Sequence, residues 1–256
     1  MWDCYTRPMS QSTETAERTR RGLEPPDLSE RGGMKNGQPQ RSDERLFMQF
    51  VAFGGCADSR PLAEELERAE IPGVLYEDVN DPRGVGLLTL SQDPGFFVDR
   101  ARPLLNGGPF APLVQKPEYT MFGRTYSLGY EPDLPDTLLQ RPRRTVLNPA
   151  WPWAIWYPLR RTGAFARLSR EEQGKILHEH ATIGRAYGDA DHAHDIRLAC
   201  YGLDSSDNDF VIGLVGRALH PLSHLVQAMR RTIQTSEYIE KLGPFFVGNV
   251  VWQRAR

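Results

Sequence analysis

Short apolar runs and amphipathic stretches alternate along the chain from Leu46 onward. Residues 46–53 form a strand-like run closed by Gly54-Gly55. Residues 59–69 read as a helix, with Ser59 at the N-cap and Pro61 in the first turn. Strands are expected near 73–79 and 85–90, a helix over 94–105 that stops at Gly107-Gly108-Pro109, and a strand over 119–126. This β-α-β-β-α-β order is the ferredoxin-like unit. Residues 131–152 are rich in proline, which fixes φ and removes donors, and read as an irregular connector. The same order then returns: strand 153–159, helix 169–187, strands 195–203 and 209–215, helix 222–238, strand 245–252. The pattern predicts an α+β chain with two ferredoxin-like repeats, 46–130 and 153–256, closing into one dimeric α+β barrel-type subunit.

Residues 1–45 have a different texture. Eight acidic and eight basic side chains are interleaved with small polar residues and almost no aliphatic pattern, which predicts a disordered tail. The whole chain is nearly neutral, at −2, and this argues against a nucleic-acid surface. Cys4, Cys56 and Cys200 are odd in number and widely spaced, so neither a disulfide framework nor a thiolate zinc site is written here. No apolar stretch is long enough to span a membrane, and the N-terminus has no signal-peptide pattern. The expectation is a cytoplasmic protein.

Candidate chemistry concentrates in the second repeat. All six histidines lie between His178 and His224. His178 and His180 point roughly 200° apart on a helix and H-E-x-x-H is absent, so a shared zinc ion is disfavoured. Ile176, His180, Ile183 and Tyr187 instead fall at i, i+4, i+7 and i+11, the inward stripe. A neutral imidazole there is either a satisfied core histidine or a single-histidine haem ligand. On the strand beginning at Trp153, alternation puts Ile155, Tyr157, Leu159 and Arg161 on one face. A buried phenol needs a hydrogen-bond partner and a buried guanidinium an anion, supplied by core acids or by a ligand carboxylate. Trp151, Trp153 and Trp156 are read as core. The acidic and histidine-rich run 191–195 is read as a solvated loop.

Tyr157-Pro158-Leu159-Arg160-Arg161, the 23-residue step from Tyr157 to His180, the run 180–187, Gly202-Leu203-Asp204 and Gly243-Pro244-Phe245-Phe246-Val247-Gly248 together resemble the chlorite dismutase and coproheme decarboxylase family. The resemblance implies two ferredoxin-like repeats, subunits assembled into homo-oligomers, usually pentamers, and a haem or coproheme site in the second repeat. It implies His180 as iron ligand, Tyr157 as the residue whose radical takes hydrogen from a propionate, and Arg161 as a propionate partner. Tyr126, Ser236 and one of Arg230 and Arg231 occupy positions where the family has propionate partners. The Tyr-to-His spacing and Arg161 look like the actinobacterial branch.

One position departs from the family pattern. The distal position, an arginine in chlorite dismutases, falls on Asp195, with Arg197 two residues further along the same strand face. An aspartate serves peroxide chemistry as acid or base but does not hold an anion, whereas Arg197 would favour chlorite. Three readings stand. The first is peroxide-dependent decarboxylation of iron coproporphyrin to haem b. The second is a chlorite dismutase or peroxidase-like haem b enzyme, and the third a cofactor-free binding or assembly barrel.

Overall fold

The computed structural model describes residues 25–255. A hairpin of β1 (Glu30–Lys35) and β2 (Gln38–Ser42) precedes the first repeat. That repeat runs β3 (Phe47–Gly54), α1 (Arg60–Arg68), β4 (Gly73–Asp78), β5 (Val85–Ser91), α2 (Arg102–Leu105) and β6 (Val114–Arg124). After α3 (Arg141–Val146) comes the second, β7 (Trp153–Arg161), α4 (Gly163–Arg167), α5 (Arg170–Asp189), β8 (His194–Ala199), β9 (Phe210–Gly216), α6 (Leu219–Met229), α7 (Ile233–Tyr238), β10 (Ile239–Leu242) and β11 (Phe246–Arg254). The two sheets have matching strand orders, β6-β3-β5-β4 and β11-β7-β9-β8. The expected duplication of topology is therefore present.

Pairing of β4 with β11 and of β6 with β8 joins the sheets into a ring, and of the nine strands only β10 stays outside it, alongside β7. The result is a closed antiparallel barrel with its helices outside. The two joints are unequal: β4 and β11 share six register pairs, while β6 and β8 meet only at Arg124 opposite Ala199.

Alternation along the strands divides the side chains between the interior and the outer faces. Met48, Phe50, Tyr76, Trp156, Ile196, Val211 and Phe246 fill the barrel, while separate apolar layers lie under α1 and under α5 to α7. The interior is aromatic, with Phe50 packed against Trp156 at 5.8 Å and edge-on to Phe246 at 4.7 Å between ring centroids. Two glycines make this packing possible. Gly213 lies opposite Trp156 across β7 and β9, and a Cβ there would meet the indole at 2.5 Å; one at Gly86 would meet the Phe50 ring at 2.4 Å.

Several local expectations need correction. Residues 1–24 lie outside the described residues, but 30–42, expected to be disordered, form the β1–β2 hairpin. Polar bonds rather than apolar burial hold it. The Gln40 carboxamide donates to the carbonyls of Gly33 (3.1 Å), Glu131 (2.9 Å) and Pro132 (3.1 Å) and accepts from Leu134 N–H (3.0 Å), while Glu30 takes Arg124 (2.8 Å) and Ser127 N–H (2.9 Å). A reading based on hydrophobic content does not register such a clamp.

The connector contains helix despite its prolines. A wide turn over Asp136–Gln140, closed by Arg141 N–H donating to the Asp136 carbonyl, precedes Pro142, and the same device over Phe97–Ala101 precedes Pro103. An i to i+5 bond just before a proline moves the helix past the carbonyl that its ring would strike. Ser59 occupies the expected N-cap of α1, but its hydroxyl donates to Glu77 (2.6 Å) instead of capping. The strand expected over 195–203 ends at Ala199, and the helix expected over 222–238 breaks between Met229 and Ile233.

Because the Trp156 indole is walled in on every side, Gly213→Ala is expected to lower unfolding free energy by roughly 1–3 kcal/mol in chemical denaturation.

Candidate functional site

The α5-facing side of β7 carries the phenol and the guanidinium. Ile155, Tyr157 and Leu159 join the outer layer while Ala154 and Trp156 point into the barrel, as the alternation predicts. The Tyr157 ring stacks on Phe245, 4.6 Å between centroids. Burial pushes its pKa well above the usual tyrosine value, and the Asp195 charge adds to the rise against opposition from Arg230. The Arg161 guanidinium lies 4.6 Å from the ring centres of both Phe165 and Phe210. Its buried Nε has no hydrogen-bond partner, and the neighbouring Asp209 carboxylate accepts from the Arg161 main-chain N–H (2.8 Å). Burial accordingly holds the guanidinium below its ordinary pKa. A buried cation of this kind is stabilised by any carboxylate that enters the space.

Opposite stands α5, a 20-residue helix whose Ser169 and Glu172 form a reciprocal capping box. Its inward stripe is placed as expected, yet Ile176, His180, Ile183 and Tyr187 are only half-buried and no residue of the helix is fully buried. The helix packs on β8, α6 and α7, with Ile183 and Tyr187 against the outer apolar layer. His180 lies on the same inward stripe. Burial, together with the Arg197 and Arg161 cations, pulls the imidazole down to about 4. Its Nδ1 meets Thr232 Oγ1 at 3.4 Å, and that hydroxyl gives its own proton to the Met229 carbonyl (2.8 Å). The threonine oxygen therefore accepts from Nδ1–H, leaving the Nε2 lone pair open.

The wall formed by β8 is the third component. Asp195 and Arg197 share a face as expected, but they pair with each other, Oδ2 to Nε at 2.9 Å. Neither is a free distal group. Their position is fixed upstream by Asp191, which accepts from His194 Nε2 (2.8 Å), Trp151 Nε1 (3.1 Å) and Arg217, with the Trp151 ring stacked on His194 at 3.6 Å. The run expected to be a solvated loop is thus a knitted network. Tyr126 closes the group: it packs on Phe210, burial raises its pKa, and Arg197 and Arg161 oppose that rise.

His180, Tyr157, Arg161, Tyr126, Asp195 and Arg197 therefore form one electrostatically connected cluster. Of the arginine pair it is Arg230 that acts on Tyr157, and it lines a recess with Thr235 and Ile239. Arg230 and Arg231 are both exposed, and the exposed Ser236 donates its hydroxyl to the Thr232 carbonyl (2.9 Å). A second pocket wall carries Tyr126, Tyr130, Glu131, Arg141, Asp195 and Arg197, where β6 and β8 splay apart. Thr232 and Arg141 were not among the expected site residues. The first is exposed to the site only by the break between α6 and α7, and the second by a helix inside a proline-rich segment, features with no periodic signature.

The family described as chlorite dismutase matches residues 113–251, more than half of the chain and all of the second repeat's site elements. The chain belongs to the chlorite dismutase family. No curated protein matches the chain. Solved structures of similar fold include a haem-binding protein from Thermus thermophilus, with TM-score 0.64 and 20% identity over 83% of this chain and 93% of the other. A point mutant of chlorite dismutase from Candidatus Nitrospira defluvii gives 0.63 and 14% over 82% and 92%. A putative chlorite dismutase, TA0507, gives 0.64 and 15% over 81% and 95%. Among the described residues of this family member, no helix is long and apolar enough to cross a membrane.

The His180 shift has a consequence for stability. The imidazole protonates near 6.5 in the unfolded chain and only near 4 in the folded one, so the unfolded state binds more protons between these values. The associated stability is present above pH 6.5 and is lost as pH falls toward 4. His180→Gln should remove that part of the pH dependence, measured by denaturation at a series of pH values, and the ring itself should titrate near 4 by NMR.

Proposed function

We propose that this chain is a haem-family oxidoreductase that decarboxylates iron coproporphyrin to haem b with hydrogen peroxide. The observation that supports this reading is one electrostatically connected set of groups on the outer face of the second repeat: neutral His180 with its Nδ1 at Thr232, the buried phenol of Tyr157 and the Arg161 guanidinium, whose buried Nε has no partner. The residues fit an iron porphyrin bearing carboxylates: His180 would hold the metal and Arg161 a propionate. Tyr126 and Arg230 would serve further propionates, with Arg231 and Ser236 as the other candidates.

Bound there, the iron centre would supply the oxidising capacity of peroxide. The chain's own groups determine how it is used. The raised pKa of Tyr157 keeps its proton in place, so the phenol gives up electron and proton together and, once oxidised, takes a hydrogen atom from a propionate. Each propionate loses that hydrogen and one further electron as carbon dioxide leaves and a vinyl group forms, and one hydrogen peroxide becomes two waters. Phe245 packs on the ring and keeps water from it. The Asp195 carboxylate acts on Tyr157 but is held by Arg197, and it would exchange a proton with peroxide only on leaving that pair.

The chlorite reading rests on Arg197, which pairs with Asp195 on β8. Its charge is already matched by Asp195, and an anion such as chlorite gains little there. The pentameric assembly implied by the resemblance and the cytoplasmic location expected from the sequence pattern belong with this reading of the chain as a porphyrin enzyme.

The test is to add iron coproporphyrin to the purified chain, titrate peroxide and follow the porphyrin mass. Loss of carbon dioxide and two hydrogens from each of two propionates is expected. Tyr157→Phe should retain the porphyrin and abolish turnover, and His180→Ala should lose the iron-ligand spectrum. A stable haem-type spectrum with no mass change would favour the dismutase or peroxidase reading, and absence of binding would leave the cofactor-free barrel.

A further inference from the structure

Six histidines gather between His178 and His224, and the site described above uses His180 alone. His194 is taken up by Asp191 (2.8 Å), and His192 packs edge-on to Tyr187 at 6.4 Å between ring centres. His220 and His224 form a pair of their own. They stand four residues apart on α6, one helical turn, with ring centres 6.0 Å apart. Leu222 and Leu225 of the same helix are buried, whereas both imidazoles are exposed. The spacing that α5 denies to His178 and His180, which are two residues apart, is thus present on α6.

Two imidazoles one turn apart on a helix chelate a divalent transition-metal ion. With zinc-to-nitrogen distances of about 2.0–2.1 Å and a tetrahedral angle, their ring centres stand roughly 5 Å apart, and rotation of the exposed side chains brings the rings to that separation. Nitrogen donors select zinc, nickel or copper over magnesium and calcium. Among the described residues no group of three histidine, cysteine or carboxylate side chains gathers around an ion, so water would complete the coordination. The orientation of His224 is a second, independent observation. Its Nδ1 is hydrogen-bonded to the Tyr187 hydroxyl of α5, and the two rings stack with centres 5.9 Å apart. With Nδ1–H donating to the phenol oxygen, Nε2 on the other side of the ring carries the lone pair for an ion. Tyr187 lies seven residues, about 10 Å, beyond His180 along α5, so the pair is separate from the iron-ligand position.

We propose that His220 and His224 chelate a divalent transition-metal ion of the zinc class through their Nε2 atoms, with Tyr187 as the outer partner that orients His224. The ion links the first turns of α6, and the Tyr187 bond carries that link to α5. Binding to the folded chain alone stabilises it, so the unfolding temperature rises with the concentration of the ion. The proposal does not depend on the porphyrin reading.

The experiment is calorimetric titration of the full chain, without an affinity tag, with zinc(II) and with magnesium(II), alongside NMR of the histidine rings. The wild type is expected to bind one zinc ion per chain and no magnesium, with the ring signals of His220 and His224 moving while those of His178 and His194 stay. His220→Ala and His224→Ala should each weaken zinc about tenfold or more, and Tyr187→Phe, which keeps both imidazoles, by about tenfold. His178→Ala and His180→Gln should bind zinc as the wild type does. Zinc binding that is absent in the wild type, unchanged in His220→Ala and His224→Ala, or lost in His180→Gln would overturn the site. Unchanged affinity in Tyr187→Phe would overturn the role of the phenol.

Discussion

Closure of the barrel forces every strand to choose a face, and β7 shows what depends on that choice. With Trp156 committed to the interior, Tyr157 must point to the helices, and Arg161 follows four residues later at the end of the same row. A slip of one residue would put the phenol into the aromatic core and the indole under α5. The register is secured from both neighbours, by β11 on one side and β9 on the other, and by the fit of the indole over Gly213. The chemistry of the outer face is therefore anchored by packing on the inner one.

Much of this was legible in the sequence, for reasons that differ from element to element. The period-two row of β7 and the inward stripe of α5 are strong local signals, and both survive into the structure. The duplication was readable because each repeat has its own start and stop residues. What escaped was held by polar geometry. The hairpin over 30–42 has no core of its own and depends on Gln40, Glu30 and the loop after β6. The partner of His180 is a threonine at a helix break. The pairing of Asp195 with Arg197 is a property of rotamers, which no spacing rule reports.

The electrostatics of the site follow from one asymmetry. Around His180 the Arg161 guanidinium is buried without an ion-pair partner, while Arg197 is matched by Asp195. Burial is the main cause that keeps the imidazole neutral, with the Arg197 and Arg161 cations adding to it, and burial likewise lowers the Arg161 guanidinium. An acidic substitution near Arg161 would repair the imbalance internally and remove the driving force for a ligand. In that sense the unsatisfied guanidinium constrains its neighbours: Phe165 and Phe210 surround it with rings that offer attraction without neutralising its charge.

The unequal joints between the repeats give the ring a mechanical character. At the β4–β11 joint the two sheets are continuous, while at the β6–β8 joint they touch at one pair and diverge. A small rotation of one repeat about the long joint, like a book leaf about its spine, would strain few ladder bonds and would be concentrated where Tyr126 and Arg197 face each other across the gap. The apolar interior would stay sealed during such a movement because its aromatic contacts lie nearer the spine. Of the two joints, the one at β6 and β8 is where the ring has the fewest ladder bonds to lose.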